Sequence, residues 1–97
     1  MDTDKTKVIF RKWKDGEVIA IFPQVAGDYD SYRCMSYMHI GQHSACNPSG
    51  VIQATKRASK TEYEPLEREL ASIGYSLEII DRNRHSFIKD RRNQVSA

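Results

Sequence analysis

Two runs of β-forming residues open the chain, Lys7–Trp13 and Glu17–Phe22, with Lys14-Asp15-Gly16 between them. Asp-Gly between such runs predicts a two-residue type I′ turn, because both central positions need positive φ. That turn sets Lys14 opposite Glu17, Trp13 opposite Val18 and Phe10 opposite Ile21. One face of the hairpin then carries Ile9, Trp13, Val18, Ala20 and Phe22, and the other Val8, Phe10, Ile19 and Ile21. A sheet with one wet face alternates apolar and polar residues more cleanly, so both faces are expected to be covered. The cover comes from the chain itself or from a second copy. In so short a chain this makes homo-oligomerisation through the N-terminal hairpin an expected arrangement.

Further along, Gly27, Asp28 and Asp30 mark a loop, and Ser31–Ile40 reads as a third strand. Its Tyr32, Cys34, Ser36, Met38 and Ile40 fall on one face, and Arg33, Met35, Tyr37 and His39 on the other. Gly41 is placed to end or bulge it. Asn47-Pro48-Ser49-Gly50 reads as a turn and Val51–Thr55 as an extended segment. Tyr63, Leu66, Leu70 and Ile73 then recur at helical spacing. Thr61 with Glu64 fits a capping box, Pro65 falls early in the helix, and Gly74 takes the position of a terminating glycine. Tyr75–Ile80 is a last strand. The order ββ-β-α-β defines an α+β domain over residues 7–81: an antiparallel sheet, made of the N-terminal hairpin and two further strands, packed by one helix. Residues 1–6 are expected to be flexible and 82–97 a frayed or weakly helical tail.

Composition changes this picture in three ways. At 97 residues the chain holds one core. No apolar run approaches the ~18 residues of a membrane span. The N-terminal Met1-Asp2-Thr3-Asp4-Lys5 is no signal peptide, which predicts a cytoplasmic location and reduced cysteines. Fifteen Lys and Arg against thirteen Asp and Glu leave a net charge of +2, too little for a general nucleic-acid field. The basic excess is local: Arg82, Arg84, Lys89, Arg91 and Arg92 crowd the tail, where they suit phosphate contacts, while Phe87 and Ile88 hint at a docking contact.

The chemistry-bearing residues concentrate between Tyr29 and Asn47, which hold three tyrosines, two of the three histidines and both cysteines. Cys34, His39, His43 and Cys46 make a possible tetrahedral zinc set, and with the tail a zinc-stabilised nucleic-acid module. His43 and Cys46 are a possible thiol–imidazole pair, although no nucleophile turn or phosphate loop accompanies them, and a non-enzyme is expected. Tyr37, His39, Gln42 and His43 around Gly41 form a possible ligand-binding group, with Arg33 as an anion contact. The bland reading is that these groups satisfy one another.

Lys7–Trp13, Asp15–Pro23, Ser36–His43 and Ile73–Glu78 resemble a group of small uncharacterised proteins encoded by bacteriophages and mobile genetic elements. The resemblance covers residues 7 to 81. It implies no activity. It implies instead a setting, the host cytoplasm, and a kind of action: stoichiometric binding of a host protein or a nucleotide signal, as in inhibition of host defence. It does not depend on both cysteines, which turns attention from zinc to the Tyr37, His39, Gln42 and His43 group.

Overall fold

The computed structural model describes residues 5–39 and 42–95, with only the backbone of Gln42. The elements are β1 (Thr6–Lys12), β2 (Val18–Ala26), β3 (Cys34–Met38), β4 (Gln42–Cys46), α1 (Pro48–Ala54), β5 (Lys56–Arg57), α2 (Lys60–Ser72), β6 (Leu77–Ile79) and α3 (Phe87–Val95). The fold is α+β: the sheet runs β4-β3-β2-β1-β5 in antiparallel pairs, and β6 joins β1 in parallel. Among the described residues three helices pack on it where the sequence predicts one.

The first hairpin forms, but its loop is one residue longer than predicted. Trp13 N–H donates to the Glu17 carbonyl and Gly16 N–H to the Trp13 carbonyl, closing a loop of Lys14, Asp15 and Gly16. Gly16 takes the left-handed position at φ +95°. The register therefore slips by one, and Phe10 faces Ala20 while Lys12 faces Val18. A slip of one exchanges the faces of one strand relative to the other. Val8 and Phe10 now share a core with Ala20, Phe22 and Tyr37, and Ile9 shares one with Ile19, Ile21 and Cys34.

Both sheet faces are covered, as the two-sided hairpin requires, and the chain supplies both covers. Leu66 and Leu70 of α2 close the first core, and Val51 of α1 closes the second. The ground for expecting oligomerisation through the hairpin is thus met within one chain.

Helix α1 replaces the predicted turn and extended segment. Asn47 caps it, accepting from Ser49 and Gly50 N–H groups, and Pro48 sits in its first turn, where a missing N–H costs nothing. At its other end Arg11 donates to the carbonyls of Ile52 and Thr55 and to Thr55 Oγ1.

The cap of helix α2 lies two residues before the predicted one. Ser59 and Glu62 form the capping box rather than Thr61 and Glu64, a second copy of the same spacing. Pro65 therefore lies inside the helix, not at its start. The earlier start lets Glu62 pair with Lys12 across from β1. This pairing, with the capping bonds to Ser59, holds the Glu62 carboxyl at about 2, below its ordinary 4.5. A depressed carboxyl stabilises the fold above its ordinary value and loses that contribution as pH falls through the folded value. The start of α2 is expected to loosen between pH 4.5 and about 2. A carboxyl-carbon NMR titration of Glu62 checks this, and Lys12→Met should raise its midpoint toward the ordinary value.

The tail departs most from expectation. Residues 87–95 form α3, docked by buried Phe87 and Arg91. Arg91 donates through Nε to the Ser31 carbonyl (2.8 Å) and through Nη1 to the Pro23 carbonyl (2.5 Å). Gln94 brackets the end of β2, accepting from Ala26 N–H and donating to the Gln24 carbonyl.

Candidate functional site

The β3–β4 hairpin decides where the sequence-predicted site residues go. Its register pairs Cys34 with Cys46, Ser36 with Ser44 and Tyr37 with His43. Strand β4 itself was not predicted, since Gln42–Cys46 is poor in β-formers; pairing along β3 supplies what its propensity lacks. Alternation along the pair places Cys34 in the core beneath α1 and Tyr37 in the core beneath α2. The proposed zinc set is divided by this. The cysteines lie on one face of the sheet and His43, beside Tyr37, on the other, so the four residues do not converge. Among the described residues no group of three or more His, Cys, Asp or Glu is placed to hold a metal ion. The same division separates His43 from Cys46 as a thiol–imidazole pair.

Three of the predicted ligand-binding residues do come together. Tyr37 is 2% exposed, and its hydroxyl donates to Glu69 Oε2. His39 Nδ1 donates to the other carboxylate oxygen, Oε1, at 2.5 Å. One carboxylate from α2 thus ties a buried phenol to an imidazole whose side chain is 77% exposed. His43 packs its ring edge-on to Tyr37, with centroids 4.7 Å apart. Its Nε2 lies 3.0 Å from the Tyr75 hydroxyl. Tyr75 in turn stacks on Phe22 in the core. Burial pushes the Tyr75 phenol up, so it stays protonated near neutrality beside the His43 ring.

The remaining predicted residues fall elsewhere. Arg33 precedes β3, at the opposite end of the strand from His39, and is paired with Asp28 at 3.0 Å. The Gln42 side chain and Gly41 lie outside the described residues. In the tail, Arg91 is 2% exposed and holds two backbone carbonyls, which withdraws it from any phosphate-binding arm.

Beside His39 a groove of about 550 Å³ runs between α2 and the loop ends of the two hairpins. Val18, Met38, Pro65 and Leu66 give it an apolar lining, and Glu17, Glu62 and Glu69 give it three carboxylates. Glu69 is the central residue that sequence reading missed. It stands next to Leu70 of the apolar stripe, and nothing in the periodicity separates a carboxylate facing the sheet edge from one facing water.

No family model, curated protein or solved structure matches the chain. No helix among the described residues is long and apolar enough to cross a membrane.

Proposed function

We propose that this is a non-catalytic binding protein that acts stoichiometrically, and that the groove beside His39 receives a basic segment of a host protein. One observation carries the reading: an exposed imidazole, held by the Glu69 carboxylate that also takes the buried Tyr37 hydroxyl, stands at a partly apolar groove edged by Glu17 and Glu62. A side chain fixed by a carboxylate beneath it loses little freedom when it meets a partner. The charge of the groove chooses between the two ligand classes that the sequence suggests. A nucleotide phosphate would meet carboxylates there, whereas lysine or arginine side chains flanked by leucines would match both its charge and its apolar lining. The likeness to phage and mobile-element proteins supplies the rest of the proposal, a host-cytoplasmic setting and a host-defence component as target.

The test is an amide NMR titration with a short peptide of alternating leucine and arginine, set against adenosine monophosphate. The peptide is expected to shift the Glu17, Val18, His39 and Glu69 amides saturably. Glu69→Gln, which keeps an acceptor for Tyr37 but removes the charge, should weaken it about tenfold, the equivalent of ~1.4 kcal/mol. Shifts of the same amides by the nucleotide alone would overturn the reading.

A further inference from the structure

The face of the β3–β4 hairpin away from the groove carries the only two cysteines of the chain, Cys34 and Cys46. They are direct cross-strand partners, and their sulfurs lie 3.7 Å apart as free thiols. Directly opposed residues of an antiparallel pair have Cβ atoms ~4.5–5.5 Å apart, and a disulfide needs ~3.5–4.5 Å. Closing the bond therefore asks for a side-chain rotation and a small approach of two strands, with no rearrangement of the fold. The two sulfurs are unequal in access: Cys34 is 0% exposed, while Cys46 is only partly buried at the end of the edge strand β4.

We propose that Cys34 and Cys46 form a reversible thiol–disulfide site, in which Cys46 is the entry sulfur for a low-molecular-weight disulfide such as glutathione disulfide and Cys34 is the resolving sulfur. The chemistry closes without a further reagent. The Cys46 thiolate attacks one sulfur of glutathione disulfide, the reagent's S–S bond breaks, and a glutathione thiolate leaves as the mixed disulfide forms on Cys46. The Cys34 thiol passes its proton to that departing thiolate and attacks the Cys46 sulfur, expelling the second glutathione. Two protein thiols are oxidised to one disulfide and one glutathione disulfide is reduced to two thiols.

The surroundings fit these roles. The contact between the two sulfurs holds the Cys46 thiol below its ordinary value against the opposing effect of burial, with smaller help from Ser36 and Arg91. The same contact together with burial pushes Cys34 up. The first proton therefore leaves from the more accessible sulfur, which is the one that an incoming disulfide can reach. The bond would staple β4 to β3 across a twelve-position interval, and these are the strands that present Tyr37 and His43 on the opposite face. The proposal rests on the cysteine geometry alone and stands whether or not the groove binds a peptide.

The full chain is incubated with glutathione disulfide near neutral pH, quenched with acid, and read by intact mass and by thiol count after denaturation. The expected product is a monomer lighter by two hydrogen atoms, with no titratable thiol, restored by dithiothreitol. Cys34→Ala keeps a small apolar group in the buried slot and should instead accumulate a lasting glutathione adduct on Cys46. Cys46→Ser should stay unmodified. A lasting adduct on the wild-type chain, a disulfide-linked dimer, or two thiols surviving saturating oxidant would each overturn the proposal.

Discussion

Arg91→Met is expected to lower the free energy of unfolding by about 3 kcal/mol, although Arg91 belongs to a segment with the composition of a solvated tail. The guanidinium is buried and reaches two carbonyls from different parts of the chain, Pro23 within β2 and Ser31 in the loop before β3. Charge-assisted hydrogen bonds of this kind are worth ~1.5–3 kcal/mol each when the partners have no access to water. Methionine fills much of the same volume without donating, so packing is largely kept and two acceptors lose their partner. A urea melt should show the midpoint falling with the slope unchanged. Lys89→Met, an exposed change on the same helix, should stay within ~0.5 kcal/mol. Equal midpoints for the two variants would mean that α3 is not anchored through Arg91.

Gly27→Ala is expected to cost a similar amount, about 3 kcal/mol, by a different route. A Cβ at position 27 would lie 2.5 Å from the Cys34 carbonyl oxygen and 2.8 Å from Cα and Cβ of Ala45. These neighbours are backbone or fixed to it, so no flexible side chain can swing away. Relief requires the end of β2 to part from the β3–β4 hairpin, the unit that carries both the histidine cluster and the cysteine pair. Gly50→Ala is the matching control. It sits inside α1 with nothing nearer than 3.9 Å, so alanine there should be neutral or stabilise by up to ~1 kcal/mol. Melts of the two alanine variants separate close approach from a general effect of adding a methyl group.

Arg91 and Glu69 look in the sequence like ordinary members of charged, exposed faces. Their roles come from where a helix docks: α3 against the end of β2, and α2 against the turn of the second hairpin. No pattern within either helix records that docking, because it depends on contacts thirty or more positions away. The start of α1 was more nearly legible, since Asn-Pro is a good cap and first-turn pair. Gly50 and the shortness of the helix obscured it. The capping box was legible as a motif but not as a position, because the same spacing occurs at Ser59 and at Thr61. The edge lies with Ser59, whose start brings Glu62 to Lys12.

By itself the sequence determined the α+β class, the N-terminal hairpin, a long helix ending at Gly74, and the need for cover on both faces of the first two strands. These follow from local periodicity and turn chemistry, which act over a few residues. Only the tertiary structure decided the hairpin register, the source of the second cover, and the division of the Tyr29–Asn47 segment into histidines on one face and cysteines on the other. A register changes by whole residues when a loop gains one, and each such step exchanges the faces of a strand. The chemistry of this protein is therefore set by loop length and docking as much as by the identity of its polar residues.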